Sequence, residues 1–302
     1  SAEQLVCWRE GAPLDERLTR IDEELIPLHT LSAPSLSEAQ REERLKQLTR
    51  SLRREVFCGF PAESAALEPL ENEKVNTAGR KIKEVSFNSF SDLRVKGLLS
   101  LPPDYAPGDK LPALLLLDHR WGIPVWGNEQ PLEQIDWGNR VVLVAETLDR
   151  GSRALDENRR SFADDDPAHH LRREAMVCGT TVDAMAVYEI MRCLDYLRSR
   201  PEVDPARIIV IGKGALGING LYSALLDGRV ERTVLLSPTE SHRSGPVYLG
   251  VLRYTDIPEV IGLMQDRIRL YGEIPFGLKA YLELGSQRKQ IVCSSLKECL
   301  GL

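Results

Sequence analysis

The residues best placed to do chemistry form one glycine-rich corner, Gly212-Lys213-Gly214-Ala215-Leu216-Gly217. An apolar run from Ile208 to Ile211 leads into it, and Leu221, Ala224 and Leu225 follow at helical spacing from Ile218. β-Branched residues in a short unbroken apolar run suit a strand covered on both faces, so the segment reads as strand, sharp turn, helix. Two chemistries use that geometry. A G-x-S-x-G turn raises a serine at its apex, where the hydroxyl attacks an acyl carbon beside a histidine and an oxyanion hole. A G-x-G-x-x-G turn instead sets a dinucleotide pyrophosphate on the helix N-terminus. Aligned on Gly212, the nucleophile position holds Gly214, which has no side chain, while Gly212, Gly214 and Gly217 meet the second pattern literally.

The second pattern normally comes with an acidic residue about 20 positions on, at the end of the next strand, to hold the ribose. Here Glu231 precedes that strand, whose end reads Leu236-Ser237-Pro238, and the corner comes late in the chain. A dinucleotide-binding domain is therefore the weaker alternative. A P-loop is excluded, because Gly214 follows Lys213 where serine or threonine should hold magnesium. The cysteines at 7, 58, 178, 193, 293 and 299 show no C-x-x-C pair and no clustering with histidine, so neither a metal nor a cofactor is expected. They read as mostly buried thiols, although an even count also permits disulfides. His169 and His170 stand near Asp164, Asp165 and Asp166, but neighbours in an extended segment point opposite ways, so a surface loop is expected rather than a metal site.

The elements that must position the corner can be read in order. Residues 1–76 are expected to be a helical N-terminal extension and linker. Leu18, Ile21, Leu25 and Ile26 take helical spacing up to Pro27. Ser37 with Gln40 predicts a capping box that opens a second helix, with Leu45, Leu48, Leu52 and Val56 as its apolar stripe. Phe60 to Asn76 reads as irregular linker. From 77 to 302 the pattern becomes α/β: strands at 81–90 and 93–101 joined at Ser91-Asp92, buried strands within 112–118 and 140–146, a helix at 181–200, the corner, and a strand at 232–237. A strand at 267–271, a helix at 276–284, a last strand at 290–294 and a short helix from Lys297 complete the reading.

Composition narrows the function classes. The chain has 302 residues, 42% hydrophobic and 28% charged, with a net charge of −6 from 39 basic and 45 acidic residues. No cationic surface for nucleic acid is implied. No apolar run reaches the roughly 20 residues of a membrane span. The chain opens Ser1-Ala2 without methionine, which reads as a processed form or a part of a longer chain with any signal peptide out of view. A soluble protein is expected; secretion or a periplasmic location with the signal peptide removed is one option, and the location stays open.

Three stretches, LPALLLLDHRWG, VVLVAETLDRGSR and DYLRSRPEVDPARIIVIGKGALG, resemble the α/β-hydrolase superfamily, and within it the acetylxylan-esterase and dienelactone-hydrolase-like proteins. The resemblance covers the chain from about residue 80 to its end. It implies a mostly parallel central sheet flanked by helices and a Ser-His-acid site at the corner. Transferred residue by residue, the nucleophile falls on Gly214 and the acid on Glu273, while the histidine due after the last strand is missing, since none follows His242. The loop on the oxyanion side corresponds to His119, Arg120, Trp121 and Gly122, which could stack on a sugar or hold a carboxylate, or simply anchor loops to the sheet.

Two readings follow. In the first, the domain is catalytically degenerate and acts as a binding or structural module, taking a carbohydrate or acyl-ester ligand between 119–122 and Lys213, Gly214 and Ala215, beside an esterase domain or subunit. In the second, it is an active carbohydrate esterase that uses unconventional residues, with Ser241 and His242 or Glu273 as substitutes.

Overall fold

The computed structural model describes residues 36–73, 80–117 except Asp104 and Pro107, 137–148, 167–284 and 291–301, together with Pro13, Ile21 and 29–31. An eight-stranded sheet runs through it in the order β1-β2-β3-β5-β4-β6-β7-β8. The strands are β1 (Leu70–Glu73), β2 (Lys81–Asn88), β3 (Arg94–Leu101), β4 (Leu111–Leu117), β5 (Val141–Glu146), β6 (Val203–Lys213), β7 (Arg232–Leu236) and β8 (Ile268–Tyr271). The first three are antiparallel, β3 meets β5 antiparallel, and all pairs from β5 to β8 are parallel. A mostly parallel sheet with an antiparallel start is what the resemblance implied.

The alternation of side chains on the buried strands divides the core. Ala113, Leu115, Leu117, Leu143, Val210 and Leu235 face the larger apolar cluster. Leu114, Leu116, Val142, Ile209, Ile211 and Val234 face the smaller one, with Trp137, Cys293, Cys299 and Leu300. Both faces of β4, β5 and β6 are therefore dry, as unbroken apolar runs require.

The helices are α1 (Glu38–Ser51), α2 (Pro167–Val177), α3 (Val182–Ser199), α4 (Gly214–Asp227), α5 (Ile257–Leu263), α6 (Phe276–Leu284) and α7 (Leu296–Leu300). The capping box at α1 forms, with the Gln40 N–H donating to Ser37 Oγ at 3.3 Å and the Ser37 N–H to Gln40 Oε1 at 3.0 Å. A π-helical turn, Leu52–Val56, extends it. Its stripe of Leu48, Leu52 and Val56 lies in the larger cluster with the sheet residues, so α1 shares the sheet's core. Arg44 adds a two-pronged ion pair to the fully buried carboxylate of Glu259 on α5, at 3.0 and 3.2 Å.

Four readings of the sequence change. The expected linker at 60–76 carries edge strand β1, because Glu71 pairs through its backbone with β2 and through its carboxylate with Lys83, Tyr196 and Arg200. The expected strand at 290–294 is reduced to one parallel bridge, Val292 to Leu270. His169 and His170 lie in helix α2 rather than a loop; Pro167 suits a first helical turn and the residues after it are good helix formers. Helix α4 begins at Gly214 itself, with no intervening turn. The expected first helix before Pro27 lies outside the described residues.

Candidate functional site at the strand-helix corner

Strand order locates a crevice. The connection after β4 leads to β5 on one side of it, and β6 returns to the other side, so the C-terminal ends of β4 and β6 form the topological switch point where open α/β sheets take ligands. The corner between β6 and α4 stands there. One row of paired residues, Leu117, Gly212, Leu235 and Leu270, runs across the sheet just below it.

Close approach explains two of the corner's glycines. A Cβ on Gly212 would come within 2.7 Å of the Gly217 Cα, and one on Gly217 within 2.5 Å of the Gly212 carbonyl oxygen. The strand end and the first turn of α4 are in backbone contact, which any side chain would part. Gly214 is different. Its φ is +55°, the left-handed region, and a Cβ there would meet nothing within 4 Å among the described residues. The first residue of α4 thus has the left-handed backbone of a nucleophile elbow and, among the described residues, open space where a hydroxyl would stand.

Lys213 is the N-cap residue of α4, exposed, and makes no capping bond. The N–H groups of the first turn, uncapped by the Lys213 side chain, and the ammonium place positive potential at the tip. Ala215 is half-buried beside them. His119, Arg120, Trp121 and Gly122 lie outside the described residues. The described residues hold no group of three or more metal-ligating side chains, and no described helix is long and apolar enough to cross a membrane.

Ser241 and His242 leave the next strand, β7, but their side chains turn away from the corner. Ser241 Oγ donates to Asp256 Oδ2 at 2.6 Å. The His242 backbone N–H donates to the other oxygen, Oδ1, at 2.9 Å. The imidazole is buried, with Nδ1 2.8 Å from the Pro246 carbonyl and Nε2 2.7 Å from the Tyr222 hydroxyl. Tyr222 is eight residues along α4 from Gly214, about 12 Å of helix. Burial holds the imidazole below its ordinary pKa of 6.5, partly opposed by the Pro246 bond and the Asp256 charge. Both ring nitrogens are engaged, so the ring is a packed structural group with Tyr222 and Tyr248 against it.

Glu273 stands exposed just past β8, and its backbone N–H donates to Ser237 Oγ at 3.1 Å. Ser237 is itself in the left-handed region, with φ +43°, at the end of β7. Serine at that φ is held by cross-links on both sides, since its N–H donates to the Tyr271 carbonyl at 2.9 Å. Ser241 and His242 thus share one cluster, Glu273 belongs to a second with Ser237, and Lys213, Gly214 and Ala215 form a third.

One polar residue at this end of the sheet escaped the sequence reading. Glu189, on the inner face of α3, is fully buried and accepts from Ser89 Oγ at 3.0 Å and the Leu148 N–H at 2.6 Å, fixing the chain as it leaves β5. Its signal was a carboxylate between Tyr188 and Ile190, in the middle of an apolar stripe.

No family model matches the chain. A protein of Bacteroides fragilis NCTC 9343, assigned by name to the acetyl xylan esterases, superposes with a TM-score of 0.66 at 12% identity over 95% of this chain and 83% of that one. A glucuronoyl esterase from Solibacter usitatus superposes at 0.58 with 18% identity over 88% and 86%. A curated Bacillus subtilis (strain 168) protein, YtaP, named as a hydrolase, is 33% identical over 70 residues, and the match spans 23% of each chain. The likeness in structure establishes the α/β-hydrolase fold.

Proposed function

We propose that this α/β-hydrolase-fold chain is a catalytically degenerate module that binds a carbohydrate or acyl-sugar at the β6–α4 corner and does not turn over esters. The observation that carries the reading is the bare apex, with Gly214 in the elbow conformation and no side chain to attack. Acyl transfer needs a hydroxyl or thiol, an imidazole to take its proton and a group to orient that imidazole. No histidine follows His242 in the sequence, and His242 spends both nitrogens on Pro246 and Tyr222. Oxyanion stabilisation without a nucleophile is worth on the order of 10³-fold over water in a protease stripped of its triad, too little for a physiological esterase.

Binding asks less of the corner than catalysis does. The N–H groups at the start of α4, which the N-cap side chain leaves uncapped, and the exposed Lys213 are donors, suited to the hydroxyl and acyl oxygens of a substituted sugar. The proteins that share the fold bear the names of enzymes acting on acetyl and glucuronoyl esters, which points to the same ligand class. An esterase domain or subunit beside this one is the expected partner for a module that holds such a ligand without cleaving it.

Calorimetric titration with acetylated xylo-oligosaccharides tests the binding. Heat that saturates in the micromolar to millimolar range is expected, and none at millimolar ligand removes the ligand class. A fluorophosphonate probe should label no serine, and p-nitrophenyl acetate should be consumed no faster than in buffer. Labelling at any serine, or turnover lost on His242→Ala, would overturn the degenerate reading.

A further inference from the structure

The C-terminal segment carries reactive groups that the corner does not use. Cys293 and Cys299 both lie in the smaller apolar cluster, 8% and 0% exposed. Six residues of extended chain would hold them about 20 Å apart. Instead the chain between them doubles back. Glu298 Oε2 accepts from both the N–H and the hydroxyl of Ser294 at 2.6 Å, and Ser295 Oγ caps α7 by accepting from the Glu298 N–H at 3.1 Å. One acceptor then gathers both cysteines: the Cys293 N–H donates to the Leu270 carbonyl at 2.9 Å, and the Cys299 Sγ lies 3.9 Å from the same oxygen. The two thiols, side by side in that cluster through the shared Leu270 carbonyl, are near enough for each to bear on the other's ionisation.

We propose that Cys293 and Cys299 form a reversible disulfide that locks α7 and the Val292 bridge onto the β8 edge of the sheet. The lock has a purpose at that place. Beyond β8 the described sheet is covered through a single bridge, and an uncovered parallel edge invites pairing with another chain. Apart from the thiols, α7 is held by Arg232 donating to the Cys299 carbonyl at 2.9 Å and Arg140 to the Leu300 carbonyl at 3.3 Å.

A glutathione disulfide supplies the oxidant. Cys293, the cysteine with some solvent contact, loses its proton and attacks one glutathione sulfur; the glutathione S–S bond breaks and one glutathione thiolate leaves. Cys299 then loses its proton and attacks the Cys293 sulfur of the mixed disulfide, expelling the second glutathione thiolate. Two protein thiols are oxidised, one glutathione disulfide is reduced to two thiols, and the two protons pass to those thiols. Burial pushes both cysteine pKa values up, Cys299 the further. Closure of the folded protein is therefore slow at neutral pH and is completed during folding in oxidising surroundings.

The test uses the whole chain, refolded in glutathione buffers from fully reducing to fully oxidising, quenched by alkylation and digested with trypsin without reduction. Trypsin cuts after Lys289 and Lys297, so the two cysteines fall in separate peptides. The expected product is the peptide 290–297 joined to the one that begins at Glu298. Its appearance should raise the thermal midpoint by about 5 °C over the dithiothreitol-treated protein, the scale of a short-loop disulfide. Cys293→Ser should abolish both the joined peptides and the oxidant-dependent shift, while Cys193→Ser leaves both. Recovery of Cys293 and Cys299 as separate alkylated peptides, in buffers that already convert the exposed Cys58 and Cys178 to mixed disulfides, would overturn the pairing. A link formed with no change in midpoint would overturn the lock.

Discussion

The corner at Lys213, Gly214 and Ala215 and the loop from Thr239 to Pro246 leave the sheet at the ends of neighbouring strands, and they use polar atoms in opposite ways. At the corner the backbone is left-handed and bears no side chain: φ is +55° at Gly214, and a Cβ there would meet nothing within 4 Å among the described residues. In the loop, a serine and an imidazole are both present, and a carboxylate, Asp256 at the start of α5, stands beside them, yet each is bonded into the fold. Ser241 and the His242 N–H share Asp256, and the His242 ring spans Pro246 and Tyr222. A set of reactive residue types close in sequence is therefore a poor guide to a reactive site. What decides is whether the groups have lone pairs and protons left to give a substrate.

The largest effect that would sharpen this contrast is on stability. His242→Ala removes a ring packed against Tyr222 and Tyr248 and leaves the Tyr222 hydroxyl and the Pro246 carbonyl without their partner. A cost of about 3 kcal/mol is expected, from the emptied volume plus the stranded polar groups. Urea unfolding followed by far-UV circular dichroism measures it. A loss below about 0.5 kcal/mol would mean that the ring is free for other work and would break the contrast.

Gly214→Ala comes next. The new Cβ has room but must accept a left-handed backbone, at a cost of about 1 kcal/mol. Gly214→Ser should cost the same and, on the degenerate reading, restore no hydrolysis of p-nitrophenyl acetate, because His242, the histidine described nearest in the chain, spends both ring nitrogens elsewhere. Ester turnover regained by that one change would show a base in reach and return the corner to catalysis.

The loop should also give the protein an acid limb that the corner does not. Burial lowers the His242 pKa in the folded protein, so between that depressed value and 6.5 the unfolded chain binds the extra proton. Stability is then whole above pH 6.5, declines as pH falls through that interval, and levels off once both states are protonated. His242→Gln should flatten the decline whatever it does to the absolute stability; an unchanged slope in denaturation midpoints from pH 7 to pH 5 would assign the titration elsewhere.

Legibility in the sequence followed the same division. Features fixed by nearest neighbours were plain: the Ser37–Gln40 box, the unbroken apolar strands and the glycine corner follow from local backbone sterics and periodicity. Features fixed by distant partners were not. The segment LENE has one apolar residue in four, yet becomes β1 because β2, Tyr196 and Arg200 are there to receive it. The last strand shrank to Val292 because the chain turns back at Ser294, tied by its hydroxyl to the Glu298 carboxylate, and Ser295 then caps α7, a pairing of serines with a glutamate that no period of two reveals. Glu189 and His242 are polar residues in apolar surroundings, and only the partners Ser89, Leu148, Pro246 and Tyr222 explain how burial became tolerable.

The smallest expected effect is the most specific to the corner. Lys213 is exposed and caps nothing, so Lys213→Ala should change stability by less than about 0.5 kcal/mol. If its ammonium meets the acyl or hydroxyl oxygens of a bound sugar, the same change should weaken binding of an acetylated xylo-oligosaccharide several-fold, about 1 kcal/mol, and Lys213→Arg should keep most of the affinity. His242→Ala, by contrast, should leave affinity intact wherever the protein remains folded, since its ring lies two helical turns from the tip. A reversal of that pattern, with affinity indifferent to residue 213 and lost at residue 242, would move the ligand from the bare corner to the crowded loop. The positive end of α4 would then be only the beginning of a helix.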